Sequence, residues 1–244
     1  MSAFADSPSA FVAGATGYVG QAVVRELRAR NAGVVAHVRS DSPQLEAWRE
    51  RFAALGAETD ATPWEREAMT RTLAALKPDA MFILIGTTRR RMQALGRAGG
   101  DPAAASYETI DYGLTALLVD AARVAGIRPR LVYLSAMGAG PTAKGAYMRA
   151  RTRAEQTVRE SGLPFVVARP GIITGPDRED KRPLELFAGR VIDAGLTALG
   201  ALGLSSLKTR YASIDAATLA RALVRPAFDP ASENAVIEAE GLRG

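Results

Sequence analysis

The chain has 244 residues, 48% of them apolar, which is enough to bury the core of one domain. It contains no cysteine and one histidine, which excludes disulfides, thiolate metal sites, cysteine nucleophiles and histidine-rich metal sites, and no metal site is predicted. The formal charge of +5 comes mainly from arginines spread along the chain among acidic residues. There is no basic stripe interleaved with aromatic residues, so no nucleic-acid partner is expected.

Segments typical of strands alternate along the chain with segments typical of helices. In chain order, the sequence predicts a strand at 9–13, a helix at 21–27, a strand at 33–38, a helix at 43–55, a strand at 57–60, a helix at 64–76, a strand at 80–85, a helix at 103–125, a strand at 131–134, a helix at 146–161, a strand at 165–168, a helix at 216–224 and a strand at 235–238. This alternation predicts an α/β fold with a doubly wound parallel sheet and right-handed crossovers.

Residues 1–244 are interpreted as one domain, although the last third has a different character. A charged loop at 177–183 precedes an apolar segment with scattered glycines at 184–207. We expect residues 177–208 to form a small C-terminal cap over the substrate cleft. The apolar segment is too short to cross a membrane, and a role at a membrane surface is the less favoured alternative.

The first predicted strand leads into a loop with glycines at three-residue spacing, Gly14, Gly17 and Gly20. Gly14 permits a tight turn, Gly17 lets the main chain approach a pyrophosphate, and Gly20 lets the following helix pack closely on the sheet. The first amides of that helix and the positive end of its dipole would then bind the anion. The loop therefore predicts a dinucleotide-binding site.

Ligands of doubly wound sheets bind beyond the carboxyl ends of the strands. In this chain those positions carry small, polar or basic residues, as expected for an extended dinucleotide. They are Gly14, Thr16, Gly17, Tyr18 and Val19 after the first strand, Arg39 after the second, Asp60 and Ala61 after the third, Gly86, Thr87 and Thr88 after the fourth, Ser135 after the fifth, and Pro170, Gly171, Ile172 and Ile173 after the sixth.

Arg39 indicates which dinucleotide is bound. NAD sites usually place a carboxylate near the end of the second strand, whereas an arginine there accommodates the 2′-phosphate of NADP. Arg39 offers a planar fork of donors and a fixed charge, and it predicts NADP(H). Asp41 follows two residues later, and because it is a carboxylate, NAD remains the alternative cofactor. His37, in the same strand, is interpreted as a packing or surface residue rather than a ligand.

Ser135 and Tyr147 form a second candidate constellation. A tyrosine can act as a general acid when a cation lies near it, and a serine hydroxyl can hold a substrate carbonyl. Tyr147 lies at the start of a predicted helix, so Arg151, four residues later, lies beside it on the same face. A serine, a tyrosine and a cation in this arrangement favour nicotinamide-dependent carbonyl reduction.

Together these motifs resemble those of the atypical short-chain dehydrogenase/reductases, most of all the Tat-interacting-protein-like and NmrA-like group. The resemblance covers residues 9–225 and rests on Gly14-Ala15-Thr16-Gly17-Tyr18-Val19-Gly20, Arg39, Gly86-Thr87-Thr88-Arg89, Ser135, Tyr147 and Arg169-Pro170-Gly171. It implies a Rossmann fold, NADP binding and Ser-Tyr-Lys catalysis. The chain departs from the family at one position, because the family's Tyr-x-x-x-Lys is Tyr147-Met148-Arg149-Ala150-Arg151 here.

We therefore expect an NADPH-dependent oxidoreductase that acts on a small carbonyl or conjugated substrate. Tyr147 would be the acid, Ser135 would orient the substrate and Arg151 would give electrostatic support. The alternative is a non-catalytic NADP(H)-binding protein, either a redox-sensing regulator or an assembly factor. A cytoplasmic location and a monomer or homodimer are the accompanying expectations.

Overall fold

The computed structural model describes residues 7–87, 106–174 and 213–243, with single positions at 96, 97, 99, 101 and 103. Thr88 and the predicted cap at 177–208 lie outside the described residues. The helices and strands, in chain order, are β1 (Ser9–Ala13), α1 (Tyr18–Ala29), β2 (Gly33–His37), α2 (Leu45–Ala54), β3 (Glu58–Asp60), α3 (Arg66–Leu76), β4 (Ala80–Ile83), a π-helical turn (Tyr107–Gly113), α4 (Leu114–Val124), β5 (Arg130–Leu134), α5 (Ala146–Arg159), β6 (Phe165–Arg169), β7 (Ile173–Thr174), β8 (Ile214–Asp215), α6 (Ala216–Phe228), β9 (Ala235–Glu238), and short 3₁₀ turns at Pro230–Ser232 and Gly241–Arg243.

The sheet has seven parallel strands in the order β3-β2-β1-β4-β5-β6-β9, and β7 and β8 pair separately. The strand order reverses between β1 and β4, so a crevice opens beyond the carboxyl ends of these two strands. The predicted doubly wound parallel sheet of the Rossmann type is confirmed.

The sheet is covered by helices on both faces. Helices α1 and α6 pack against each other on one face, while α3, α4 and α5 pack together on the other. The central strands β1 and β4 are therefore buried on both sides, with Phe11, Val12 and Phe82 fully inaccessible. This explains why these strands read as continuous apolar runs rather than alternating patterns.

Several predicted boundaries differ from the structure. Helix α2 begins at Leu45 rather than residue 43, because residues 39–42 close a turn in which the Ser42 N–H donates to the Arg39 carbonyl. Helix α3 begins at Arg66 rather than residue 64, and β4 ends at Ile83 rather than residue 85.

Two predicted helices differ more from the structure. The helix predicted at 103–125 is, in its described part, a wide π-helical turn followed by α4. Ser106 begins the turn, and its hydroxyl oxygen accepts the Thr109 N–H. Helix α6 continues to Phe228, past the predicted end at residue 224, and includes Pro226. The Pro226 carbonyl accepts a hydrogen bond from Arg130, which helps to hold this last turn.

His37 is a packing residue, as predicted. Its ring is buried between the rings of Phe11 and Trp64, and its Nε2 lies 2.9 Å from the Thr62 carbonyl oxygen. Burial lowers the pKa of His37 and outweighs the opposite effects of the Thr62 carbonyl and Asp60. Within the described ranges, no helix is long and apolar enough to cross a membrane.

Candidate active site

A cavity of about 350 Å³ lies between the β1–α1 loop and the carboxyl ends of β4 and β5. Most of its lining consists of residues that the sequence analysis singled out for cofactor binding or catalysis, namely Gly17, Tyr18, Val19, Gly86, Thr87, Tyr147, Arg151 and Ile173. The rest of the lining is Gly20, Leu84, Tyr107 and Leu134. The fold thus brings the glycine loop and the predicted tyrosine–arginine pair to one cavity.

The glycine loop lies too close to neighbouring main chain to carry side chains at two of its positions. Gly14 has a φ of +87°, and a Cβ there would lie 2.7 Å from the Leu84 carbonyl oxygen at the end of β4. A Cβ on Gly20 would lie 2.1 Å from the Gly14 carbonyl oxygen and 2.8 Å from Ala15 Cα. These two glycines therefore set the close approach of the loop to β4 and α1.

Gly17 has a different task from the other two glycines. It is the N-cap of α1 in an extended conformation, and its N–H donates to the Gly14 carbonyl at 3.0 Å. No side chain caps this helix, and no acidic residue lies in its first turn. Because the first amides and the positive end of the helix dipole favour an anion, this end of the cavity fits a pyrophosphate.

The residues predicted for the adenosine end do not line the cavity. The Arg39 guanidinium is partly exposed and pairs with Asp41, with 3.2 Å between Nη1 and Oδ2. The Asp60 carboxylate accepts hydrogen bonds from the Thr62 N–H and hydroxyl, and Ala61 lies between them in the chain. Arg39 thus stands at the end of β2 with an exposed carboxylate as its partner.

Two buried hydroxyl groups near the cavity have no hydrogen-bond partner among the described residues. They are the Thr87 Oγ1 at the end of β4 and the Ser135 Oγ at the end of β5. Thr87 lines the cavity, whereas Ser135 does not, and the Ser135 N–H donates to the Ala168 carbonyl. Because buried polar groups are nearly always paired, these hydroxyls fit a site that a polar ligand completes.

Only one of the residues predicted to bind the cofactor after β6 lines the cavity. The Pro170 carbonyl accepts the Met137 N–H, and the Ile172 carbonyl accepts the Ile214 N–H, so both carbonyls contribute to the local main-chain structure. Ile173, in β7, lines the cavity. Of these three residues, Ile173 alone is in the cavity lining as described.

Tyr147 lies in the first turn of α5, as predicted. Its ring meets the Tyr107 ring edge-on with 5.2 Å between centroids, and the Arg151 guanidinium lies 5.3 Å from the Tyr147 ring centroid. Arg151 is therefore beside Tyr147, as the four-residue spacing predicts.

The Arg151 guanidinium is buried, and oxygen atoms of the protein surround it. Its Nη1 donates to the Leu134 carbonyl at 2.8 Å and to the Tyr133 hydroxyl at 3.2 Å. Its Nη2 lies 2.9 Å from the Asp111 Oδ1. A Cβ on Gly86 would lie 2.6 Å from this Nη2, so any other residue there would displace the guanidinium from its present position.

Burial shifts the pKa of each partner in this cluster. For Asp111, burial raises the pKa and outweighs the opposite effects of Arg151 and of the Thr87 N–H, which donates to Oδ2 at 3.0 Å. For Arg151, burial alone would lower the pKa, but Tyr133, Tyr147 and Asp111 together raise it. The arginine therefore keeps its charge.

Sequence reasoning missed Asp111, Tyr133 and Tyr107. One signal could have revealed Asp111, because a single carboxylate in the apolar stretch 110–119 calls for a buried partner. Tyr133 lies in the buried part of β5, where nothing local distinguishes it from its apolar neighbours.

The parallel sheet, the glycine loop at the start of α1 and the unpaired hydroxyls define a Rossmann-type domain that fits a dinucleotide. A family model described as NAD(P)H-binding matches residues 14–192. The chain belongs to this NAD(P)H-binding family, in agreement with its resemblance to the atypical short-chain dehydrogenase/reductases.

Proteins with similar sequences include a bacterial reductase and a fungal mitochondrial protein. A 3-diazoavenalumate denitrifying reductase from a Streptomyces species is 31% identical over 204 residues, which cover 74% of this chain and 62% of the reductase. The chain thus matches less than two thirds of that reductase's length. The mitochondrial protein fmp52-1 of Aspergillus terreus is 29% identical over 189 residues, which cover 73% of this chain and 75% of that protein.

Among solved structures, the UDP-glucose 4-epimerase of Brucella ovis in complex with NAD has the same fold. The TM-score is 0.64 at 16% identity, and the match covers 95% of this chain and 77% of the epimerase.

Proposed function

We propose that this protein is an NADPH-dependent oxidoreductase that reduces a small carbonyl or conjugated substrate. The observation that carries the proposal is the cavity whose wall joins Gly17, Thr87, Tyr147 and Arg151. It connects a site suited to a pyrophosphate with a tyrosine that can donate a proton. The name of the similar Streptomyces reductase supports the same class of reaction.

One group of residues would bind the cofactor, and a second group would act on the substrate. The loop from Gly14 to Val19 and the start of α1 would hold the pyrophosphate, while Thr87, Thr88 and Ile173 would hold the nicotinamide half. Bound NADPH supplies the hydride. The Tyr147 hydroxyl donates a proton to the substrate oxygen, and the unpaired Ser135 hydroxyl orients that oxygen.

Arg39 supports NADPH over NADH. Its side chain is partly exposed at the end of β2, and its one described ion-pair partner, Asp41, is more exposed still. Such a pair is worth little in water, so a 2′-phosphate can take the place of the carboxylate. Asp60 and Ala61, at the end of the neighbouring strand, complete the proposed adenosine site.

The cavity wall supports a flat, conjugated substrate. Tyr107 and Tyr147 present two aromatic rings to the cavity, and Leu84 and Leu134 add apolar surface. A planar acceptor packs well against such a wall. A small carbonyl compound that is conjugated or aromatic is therefore the proposed substrate class.

Three finer assignments belong to this proposal. The motifs quoted above support membership of the Tat-interacting-protein-like and NmrA-like group. We further propose a cytoplasmic location and a monomer or homodimer, which cell fractionation and light scattering would test.

Steady-state NADPH oxidation with a panel of aldehydes, ketones and enones tests the proposed activity. Wild-type protein should oxidise NADPH with at least one member, and Tyr147→Phe should lower kcat by about a hundredfold or more. Tyr112→Phe is the matched control, because Tyr112 lies on the π-helical turn and does not line the cavity. Turnover that survives in Tyr147→Phe would overturn the role of Tyr147. Tight NADPH binding without turnover on any substrate would favour a redox-sensing regulator or assembly factor instead.

A further inference from the structure

We infer that the buried Asp111–Arg151 pair sets how strongly the site prefers the reduced over the oxidised form of the nicotinamide cofactor. The inference rests on the proposed function, because that function places the nicotinamide half of the cofactor in the cavity that Arg151 lines.

The pair is fixed in place from several sides. The Asp111 side chain is fully inaccessible, and the Arg151 side chain is 8% exposed. The carboxylate accepts the Thr87 N–H at the end of β4, and the guanidinium bonds the Leu134 carbonyl at the end of β5. A pair held in this way cannot turn toward water, and salt screens it much less than it screens a surface pair.

The charges near this part of the cavity cancel. Arg151 is the one charged residue in the described lining, since the other polar side chains there belong to Tyr18, Thr87, Tyr107 and Tyr147. Its positive charge is balanced by the Asp111 carboxylate 2.9 Å away. A bound nicotinamide therefore faces a buried pair with no net charge.

This balance matters because the two forms of the cofactor differ in charge at the ring. The oxidised nicotinamide ring carries one positive charge, and the reduced ring carries none. An unbalanced guanidinium in a poorly solvated site would repel the oxidised ring and leave the reduced ring almost unaffected. The Asp111 carboxylate removes that repulsion, so the protein can bind both NADP⁺ and NADPH without a large preference for the reduced form.

The test measures the Kd of NADP⁺ and of NADPH by titration calorimetry at about pH 8, well above the ordinary pKa of an aspartate. Asp111→Asn keeps an acceptor for the Thr87 N–H but leaves the guanidinium unbalanced. The ratio of Kd for NADP⁺ to Kd for NADPH should rise on the order of tenfold. The double variant Asp111→Asn/Arg151→Met has no charge at this place, and its ratio should return to within about threefold of wild type.

A second pair on α5 provides the control. Glu155 is buried one turn after Arg151, pairs with Arg169 and does not line the cavity. In Glu155→Gln, Arg169 keeps Glu238 as a partner at 2.8 Å, so no guanidinium is left without a carboxylate and the ratio should not change.

The outcomes separate this inference from the proposed function. An unchanged ratio in Asp111→Asn, or a double variant that does not restore the ratio, would overturn the inference. The Asp111–Arg151 pair would then contribute only to packing. If Asp111→Asn does not fold, Asp111→Ser must raise the ratio instead, because it also leaves the guanidinium unbalanced. Wild-type protein that binds neither NADP⁺ nor NADPH would overturn the proposed function itself.

Discussion

The two ends of the cavity are built in different ways. At the glycine loop the wall is main chain, and its properties come from amide groups and the dipole of α1. At the β4–β5 end the wall is made of side chains, and its properties come from Arg151 and the buried Asp111 behind it. The first end is specified by a short run of sequence. The second depends on contacts between elements that are distant in the chain, and it is therefore sensitive to changes at any of them.

The largest expected effect is at the main-chain end. Gly20→Ala places a Cβ 2.1 Å from the Gly14 carbonyl oxygen, so the loop must move, at a cost of about 3–5 kcal/mol in the free energy of unfolding. Urea denaturation measures this. Gly113→Ala is the control, because its Cβ meets the Glu108 carbonyl oxygen at an ordinary 3.4 Å. Equal unfolding midpoints for the two variants would show that the loop is not tightly held.

Gly17→Val separates binding from folding at the same end. The backbone here is extended, with φ of −71° and ψ of 163°, which valine can adopt. Its Cβ would lie 3.2 Å from the Gly14 carbonyl oxygen, so stability should fall by about 1–2 kcal/mol. The valine side chain would fill the space proposed for the pyrophosphate, and NADPH affinity should fall by about a hundredfold or more, near 3 kcal/mol. Fluorescence titration with NADPH measures the loss. Wild-type affinity would place the phosphates elsewhere.

Arg151→Lys tests the side-chain end. One ammonium cannot replace a fork that meets Tyr133, Leu134 and Asp111, and acceptors left unpaired should cost about 1–3 kcal/mol in stability. The control Arg153→Lys changes an arginine that is 52% exposed, where the expected cost is about 0.5 kcal/mol or less. Thermal unfolding compares them. A fully stable Arg151→Lys would mean that the arginine is a simple substitute for the family lysine.

Arg39→Ala extends the comparison to the adenosine end, where the pairing is exposed. We expect NADPH affinity to fall by about one order of magnitude, or 1.5 kcal/mol, and NADH affinity to stay nearly unchanged. Calorimetry with both cofactors measures the difference. Arg49→Ala is the control, because Arg49 has similar exposure and pairs with Glu46 on α2. Equal losses of NADPH and NADH affinity in Arg39→Ala would contradict a 2′-phosphate contact.

The smallest effect is a pH dependence at the side-chain end. The folded-state pKa of Asp111 lies above its ordinary value of 3.8, so the folded state binds this proton more tightly than the unfolded state. The stability that it contributes is fully present below about pH 4 and is lost as the pH rises through the folded-state pKa. The stability of wild type relative to Asp111→Asn should therefore decline as the pH rises from about 4. Urea unfolding at a series of pH values tests the sign, and a flat difference would contradict it.

The same comparison explains how much the sequence could predict. The alternation of strands and helices, the glycine loop and the position of Tyr147 beside Arg151 follow from local spacing, so they could be predicted from the sequence. The partners of Arg151 could not, because the fold brings Asp111 from the π-helical turn and Tyr133 from β5. Ser135 shows the same limit, since spacing placed it at a strand end but could not show that its hydroxyl is buried without a hydrogen-bond partner among the described residues.

The π-helical turn Tyr107–Gly113 also makes the length of this segment part of the site. Each residue of an α-helix turns the chain by about 100°. Deleting one residue between Asp111 and Leu114 would therefore swing the carboxylate away from Arg151, even with every other residue kept. A substitution at the exposed Glu108 can be tolerated in this turn, whereas a single-residue deletion leaves the buried Arg151 guanidinium without its carboxylate. Homologous chains with a gap at this turn should then have exchanged residues 111 and 151 together.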